Sequence, residues 1–212
     1  MLKIGLTGGI GTGKSLVARL FKNKGALVVD FDELAHNALE PGTEAWRSVA
    51  NHFGPAVLND DGTISRKELG IIVFSDKEQR NRLNGIVHPA VFAEWKRIVA
   101  EEALHRPESI VVADVPLLFE TNCRNLFDVI VLVYSPPERQ IERVMSRNSL
   151  TRREIQERLA AQIHIDEKIP LADYIIDNTG PLAETERAVA DLWEELVKKN
   201  FSLKDKKGFI ND

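Results

Sequence analysis

The chain has 212 residues, of which 43% are hydrophobic and 28% charged, and its formal net charge is -4. This length and composition predict a soluble globular protein whose core needs no disulfide or structural metal. The mild acidity indicates neither a nucleic-acid-binding nor a membrane-binding surface, and a single cysteine excludes an intramolecular disulfide and a cysteine zinc cluster. No signal-peptide pattern precedes the first apolar run, and no run approaches the roughly 20 residues of a bilayer span. We therefore expect a cytoplasmic protein.

The predicted elements alternate between strand and helix, which favours a parallel sheet with helices on both faces. The strands are short, nearly continuous apolar runs, as a sheet buried on both faces requires. A helix begins at Ser15, directly after the first strand, and Gly25 is placed to end it. The five predicted strands are Lys3–Thr7, Ala26–Asp30, Ser109–Asp114, Phe127–Tyr134 and Tyr174–Asp177.

Two helical segments interrupt the strands. Residues 33–106 are far more chain than a crossover needs, so we expect an inserted helical subdomain whose clearest helix runs from Pro89 to His105. Residues 137–171 form the second segment, which we interpret as a lid. The remaining core of this single domain comprises residues 1–32, 107–136 and 172–198. Residues 199–212 are lysine-rich and lack an apolar period, and we expect this tail to be frayed.

A glycine-rich motif separates the first strand from the first helix. Residues 8–15 read Gly-Gly-Ile-Gly-Thr-Gly-Lys-Ser and satisfy the G-x-x-x-x-G-K-[ST] pattern of phosphate-binding loops. Backbone N–H groups of such a loop and the positive end of the helix attract phosphate oxygens. We expect Lys14 to reach the β- and γ-phosphates and the Ser15 hydroxyl to bind Mg²⁺. The predicted ATP-binding residues of this segment are Gly9, Gly11, Thr12, Gly13, Lys14, Ser15 and Leu16.

These patterns together predict an α/β fold of P-loop NTPase type. The expected architecture is a doubly wound, five-stranded parallel sheet with a helical insertion and a helical lid. The loop motif identifies a nucleotide site and leaves the reaction open, because kinases, GTPases and motor ATPases share it.

Acidic residues end the second and third strands. Asp30 and Asp32 lie at the carboxyl end of the second predicted strand, which is where ligands bind in doubly wound folds. A carboxylate at this position can orient an attacking hydroxyl. Alternatively, Asp30 caps the following helix and Asp32 is a solvated acid in the first turn of that helix. Asp114 follows an apolar run, as in a Walker B motif, and metal coordination, acceptor contact and a turn cap all stay open for it. We expect Asp30 or Asp114 to contact Mg²⁺ through water.

Three arginines recur at four-residue spacing after the fourth strand. Arg139, Arg143 and Arg147 share one helix face, and Glu138 and Glu142 partly neutralise them. The alternatives are a solvated amphipathic helix and a mobile lid whose guanidinium groups stabilise charge during phosphoryl transfer. We favour Arg143 and Arg147 as catalytic because they lie nearest the presumed hinge at residues 148–151.

Beyond the phosphate loop, an ordered set of segments resembles the dephospho-CoA kinase family. The set spans the chain from Met1 to about Gly180, and Phe31, where a small residue is common, is a mild departure. The segments are Thr7–Ser15, Val28–Asp32 with His36, Leu83–Pro89, Asp114–Glu120, Gln140 with Arg143, Arg147–Asn148, Gln162 and Asp177–Gly180.

The resemblance implies phosphorylation of the ribose 3′-hydroxyl of dephospho-CoA by MgATP, giving CoA and ADP in the last step of coenzyme A biosynthesis. Asp32 would then be the base or hydroxyl-orienting group, and the helical insertion would bind the acceptor. The implied acceptor-binding residues are Asp32, His88 at a His88–Pro89 corner, Asp114, Leu117 and Leu118. Asn178 and Gly180 would lie beside the adenine of ATP.

Simpler roles and rival functions remain. His88 is equally well explained as a helix cap or turn residue before proline, and Asn178–Gly180 as a polar turn. One rival function is another P-loop metabolite kinase, and the other is a nucleotide-dependent switch that transfers phosphate only to water. The expected partners are ATP and dephospho-CoA, without nucleic acid or membrane. A monomer is favoured and an oligomer is left open.

Overall fold

The computed structural model describes residues 1–147 and 150–208. The chain divides into two compact units, which we call the sheet unit (Met1–Asp30 with Glu102–Asp212) and the helical unit (Phe31–Glu101). The helical unit thus covers residues 31–101, whereas the sequence predicts an insertion at residues 33–106. The strands are β1 (Leu2–Gly8), β2 (Leu27–Asp30), β3 (Ile110–Asp114), β4 (Val129–Tyr134) and β5 (Tyr174–Asp177).

The five strands form one parallel sheet in the order β2-β3-β1-β4-β5. The chain leaves β1 toward one edge of the sheet to form β2, and later crosses from β3 past β1 to form β4. Ligands of open α/β sheets bind at the carboxyl ends of the strands where the connections diverge in this way. That point is the end of β1, where the glycine-rich loop begins. The predicted doubly wound α/β architecture is confirmed.

Nine α-helices accompany the strands in the part of the chain that the structure describes. They are α1 (Lys14–Asn23), α2 (Phe31–Ala38), α3 (Glu44–Phe53), α4 (Arg66–Ser75), α5 (Lys77–His105), α6 (Pro137–Arg147), α7 (Arg152–Ala160), α8 (Ile165–Lys168) and α9 (Leu182–Gly208).

The core of the sheet unit lies between the sheet and helices α1 and α9. Alternate residues of β1, such as Leu2 and Ile4, are fully buried against apolar residues of both helices, including Phe21 and Leu196. Gly25 ends α1 as predicted: its φ is 102°, and its N–H bonds Lys22 O at 3.0 Å. This left-handed residue turns the chain into β2 at the cost of little strain, because glycine has no Cβ.

The helical unit has its own core and corrects one prediction. Helix α5 begins at Lys77 and continues through Pro89, so the predicted start at Pro89 and the His88–Pro89 corner are wrong. Proline removes one helical N–H, which usually favours a helix start or a kink. Here Val87, Val91 and Trp95 lie four residues apart and are all buried, at 8%, 4% and 1% exposure. Their continuous apolar stripe holds the helix together across the proline.

The carboxyl-terminal segment also differs from its prediction. Helix α9 continues through Gly208, so residues 199–208 are helical where a frayed tail was predicted; residues 209–212 lie outside the described part of the chain. Buried Asn200 donates through Nδ2 to Glu108 O at 2.7 Å, which supports the helix beyond Lys198. Among the described helices, none carries an apolar stretch that would cross a bilayer.

Candidate active site

The site is built on the loop between β1 and α1. Gly11 and Gly13 have φ angles of 76° and 91°, in the left-handed region that glycine adopts without strain. A Cβ on Gly11 would lie 2.6 Å from Gln140 O, and one on Gly13 would collide with the side-chain amide of Asn178. Thr12 closes the loop by donating through Oγ1 to Gly9 O at 2.9 Å. The motif therefore forms the phosphate-binding turn that the sequence predicts.

Two distant segments hold this loop in place. Asn178 Nδ2 donates to Thr12 O at 2.7 Å, and Thr185 Oγ1 donates to Asn178 Oδ1 at 2.8 Å. Arg143 of α6 donates through Nη2 to Asn178 O at 2.7 Å and through Nη1 to Thr12 O at 3.4 Å. The structure thus brings together the predicted residues Thr12, Arg143 and Asn178. It also adds Thr185, which is fully buried and which no sequence motif marked.

Lys14 and Asp114 form an ion pair at the carboxyl ends of the strands. Asp114 is 7% exposed, and β2 and β3 pair in a register that sets Asp30 opposite Asp114. Burial raises the pKa of the Asp114 carboxyl, the Lys14 ammonium opposes that rise, and the Asp30 charge adds to it. Two carboxylates that share this end of the sheet are hard oxygen ligands of the kind that Mg²⁺ prefers. The exposed Ser15 lies in the first turn of α1, beside Lys14.

The arginines of α6 differ in their surroundings. Arg139 is an exposed residue that pairs with Glu142 at 3.0 Å. It therefore belongs to the solvated face of an amphipathic helix, which is one of the two alternatives that the sequence offers. Arg143 is half-buried against the phosphate loop, whereas Arg147 is exposed at the end of the helix. Of the predicted hinge, Asn148 and Ser149 lie outside the described residues.

The segment after β3 contains two of the predicted acceptor-binding residues, one exposed and one buried. Leu117 is 40% exposed, but Leu118 is fully buried, and its Cδ1 lies 2.6 Å from where a Cβ on Gly5 would stand. Leu118 therefore packs against β1 and has no exposed atom for a ligand.

Glu120 Oε1 lies 2.8 Å from Nζ of the fully buried Lys168 and accepts from Ile163 N–H at 3.0 Å. This ion pair between the post-β3 segment and α8 was not predicted, because a lone lysine in an acidic sequence gives no sign of burial.

Two predicted residues belong to the helical unit. Asp32 is exposed in the first turn of α2, two residues after the end of β2. His88 is half-buried within α5 and packs against Phe92, with ring centroids 5.6 Å apart. Burial lowers the pKa of the His88 imidazole. His88 is therefore an interior helix residue, and its capping alternative is excluded.

A family model for dephospho-CoA kinase matches residues 2–184 of the chain. The chain is 48% identical over 199 residues to the dephospho-CoA kinase of Syntrophus aciditrophicus (strain SB), covering 94% of this chain and 85% of that protein. It is 42% identical to the one from Thermobifida fusca (strain YX), covering 94% and 98%.

Solved structures agree. The crystal structure of TT1252 from Thermus thermophilus matches with a TM-score of 0.78 and 36% identity, covering 92% of this chain and 97% of that one. Dephospho-CoA kinase from Campylobacter jejuni matches with a TM-score of 0.68 and 29% identity, covering 93% and 98%. The phosphate loop, the acids at the strand ends and these likenesses lead to one assignment: the chain belongs to the dephospho-CoA kinase family.

Proposed function

We propose that this protein transfers the γ-phosphoryl group of MgATP to the ribose 3′-hydroxyl of dephospho-CoA, releasing CoA and ADP. The hydroxyl oxygen forms a new bond to the γ-phosphorus, the bond from that phosphorus to the β,γ-bridging oxygen breaks, and ADP leaves. The observation that carries the proposal is the phosphate loop with its Lys14–Asp114 ion pair, in a chain whose family model covers residues 2–184. This reaction would be the last step of coenzyme A biosynthesis.

The loop supplies the ATP site. Backbone N–H groups of Gly9 to Ser15 and the Lys14 ammonium would bind the β- and γ-phosphates, because a loose transition state is stabilised by positioned positive charge. Leu16, the residue after Ser15 in α1, completes the proposed set of ATP-binding residues of this segment. Arg143 already lies against Thr12 O and Asn178 O, which supports a base site for ATP beside Asn178 and Gly180. Arg147 would close on the phosphates as part of a lid formed by residues 137–171.

A magnesium ion fits the residues at the strand ends. The Ser15 hydroxyl would take one coordination position, and Asp30 or Asp114 would bind through water. Burial and the neighbouring Asp30 charge raise the pKa of Asp114, and a bound cation would relieve both effects. When bound, the ion neutralises charge on the β- and γ-phosphate oxygens.

The acceptor contacts are proposed for each unit separately. Asp32 would orient the 3′-hydroxyl and accept its proton, since it is exposed two residues beyond β2. Leu117 and Asp114 would border the acceptor, and His88 would do so through the helical unit. Leu118 would support this segment by packing.

We also propose that the protein acts in the cytoplasm as a monomer.

An ADP-release assay coupled to a product assay tests the proposal. MgATP is supplied with dephospho-CoA, AMP, shikimate or no acceptor, and the product of each reaction is identified by mass. Saturable ADP release with dephospho-CoA, accompanied by CoA, is the expected result. Phosphorylation of shikimate instead would indicate another metabolite kinase. Release without acceptor would indicate a nucleotide-dependent switch.

A further inference from the structure

Three buried residues form a chain of hydrogen bonds behind the phosphate loop. Thr185 Oγ1 donates to Asn178 Oδ1 at 2.8 Å, and Asn178 Nδ2 donates to Thr12 O at 2.7 Å. Thr12 and Thr185 have no exposed surface, and Asn178 is 4% exposed. Water therefore cannot replace either bond, and a lost partner would leave a buried polar atom unpaired. The outer member of the chain, Thr185 of α9, has no role in the function proposed above.

The chemistry of the three groups gives the chain a single direction. Thr12 O is a carbonyl oxygen and can only accept, so the Asn178 amide must present its Nδ2 group to it. The Asn178 Oδ1 atom then faces Thr185 and also can only accept, so the Thr185 hydroxyl must donate its one proton. Without that hydroxyl, Oδ1 would be buried and unpaired, which favours rotation of the amide away from Thr12.

The chain ends on the peptide unit that joins Thr12 to Gly13. In a trans peptide the C=O and N–H bonds point in opposite directions. Because Thr12 O points at Asn178, the Gly13 N–H points away from Asn178. Loops of this kind bind phosphate through N–H groups that face their concave side. The bond from Asn178 to Thr12 O therefore supports the orientation in which the Gly13 N–H would reach a phosphate oxygen.

This peptide needs a support because the residue after it is glycine. A turn of the peptide plane by about 180° changes the φ of the second residue, and glycine accepts φ of either sign. Gly13 has a φ of 91°. Arg143 Nη1 also approaches Thr12 O, but its distance of 3.4 Å is beyond the usual range of about 2.7–3.2 Å for an N–H···O bond. The shorter bond from Asn178 is therefore the main restraint on the peptide.

We propose that Thr185 is a positioning residue for the ATP site. Through Asn178, its hydroxyl holds the peptide between Thr12 and Gly13 with the Gly13 N–H directed at the phosphates of the nucleotide. Thr185 itself is fully buried and acts only through Asn178. The inference rests on the ATP site of the proposed function, and it applies to ADP as well as ATP because both carry the β-phosphate.

The affinity for MgADP, measured by calorimetry without acceptor, tests the role of the hydroxyl. Thr185→Val keeps the branched shape and removes the hydroxyl, so Kd for MgADP should rise by about tenfold or more, as expected when one N–H bond to a charged oxygen is lost. Thr185→Ser keeps a hydroxyl and should bind MgADP with nearly the wild-type affinity. An unchanged affinity in Thr185→Val, or equal losses in both variants, would overturn the inference.

The same substitution at a second threonine separates positioning from a general loss of stability. Thr121 is half-buried, and its Oγ1 donates to Leu117 O at 2.8 Å, in a segment that makes no proposed contact with ATP. Thr121→Val should therefore leave Kd for MgADP unchanged. Thermal unfolding of both valine variants measures the stability that each loses. An equal loss of MgADP affinity in Thr121→Val and Thr185→Val would assign the effect to stability and overturn the inference.

NMR of the Gly13 amide tests the atom on which the inference depends. In the wild type, MgADP should shift the Gly13 amide proton downfield, because hydrogen bonds to charged oxygens are short and strong. Thr185→Val at saturating MgADP should lose most of this shift, and Thr185→Ser should keep it. Equal shifts in the wild type and Thr185→Val would overturn the inference. A wild-type protein that binds no MgADP would instead refute the proposed function itself, so the two failures give different results.

Discussion

Lys14 of the phosphate loop and Asp114 at the end of β3 form an ion pair. Their side chains are only 14% and 10% exposed, so the pair is largely removed from water. In the proposed reaction, ATP binding would transfer Lys14 from this carboxylate to the phosphates, and Mg²⁺ would become the positive neighbour of Asp114. The pair thus holds the Lys14 ammonium at the carboxyl ends of the strands.

Replacing Lys14 by methionine tests this exchange. Lys14 is the charge that opposes the effect of burial on Asp114, so in Lys14→Met the pKa of the Asp114 carboxyl should rise further above its ordinary value. Carbon-13 NMR of the labelled carboxyl in the nucleotide-free protein measures it. Turnover should fall by about 100-fold or more, because one positioned donor to the phosphates is lost. An unchanged titration of Asp114 would refute the electrostatic role of the pair.

Asp32→Asn separates hydroxyl orientation from ATP binding. Loss of a general base costs about 10²–10⁴ in kcat, whereas KM for ATP should change little because Asp32 makes no proposed contact with the nucleotide. Steady-state kinetics with both substrates measures the two effects. The matched control is Glu33→Gln, a neighbouring acid that is also exposed in the first turn of α2. Near-normal turnover in Asp32→Asn would remove Asp32 from catalysis.

Arg143 and Arg147 should give different kinetic defects when each is replaced by alanine. Arg143→Ala removes the contacts with Thr12 O and Asn178 O, so we expect KM for ATP to rise and the protein to lose about 1–3 kcal/mol of stability. Arg147 is exposed at the end of α6, so Arg147→Ala should cost less stability than Arg143→Ala and should slow the chemical step. Single-turnover measurements and thermal unfolding separate the two, and identical profiles would argue against distinct roles.

Features determined by neighbouring residues were predicted from the sequence, whereas features that depend on burial or on contacts between distant residues were not. Strand β5 was predicted as Tyr174–Asp177, which is where the structure places it, because a short apolar run determines a buried strand locally. The start of α5 was missed because proline is a local signal, while the stripe of Val87, Val91 and Trp95 that overrides it depends on burial. The partnership of Asn178 with Thr12 joins residues 166 positions apart, which no periodicity reveals.

The buried ion pair of Lys168 and Glu120 should have a large effect on stability. Lys168 is fully buried and the Glu120 side chain is 18% exposed, so Glu120→Gln leaves an uncompensated buried ammonium and should cost about 3–5 kcal/mol. Lys168→Met should cost less, because Glu120 keeps some solvent and the Ile163 N–H. Urea unfolding of both single variants and of the double variant measures the coupling of the pair.

The exposed pair of Arg153 and Glu157 is the control for this experiment. It has the same kind of contact, with Nε and Oε1 2.9 Å apart, but its side chains are 88% and 63% exposed. Glu157→Gln should therefore change the free energy of unfolding by no more than about 0.5 kcal/mol. Equal losses in Glu120→Gln and Glu157→Gln would mean that burial does not determine the strength of the Lys168–Glu120 pair.

His88 should make the stability of the protein depend on pH below neutrality. Burial lowers its pKa in the folded state from the ordinary value of 6.5, so the unfolded chain binds more protons between the two values. The free energy of unfolding therefore rises with pH through that window and falls on acidification. Urea unfolding from about pH 7.5 to about pH 5.5 should show a larger loss for the wild type than for His88→Gln, which carries no titrating ring. All other titrating groups are shared, so the difference between the two curves isolates His88, and parallel curves would contradict its burial as a neutral imidazole.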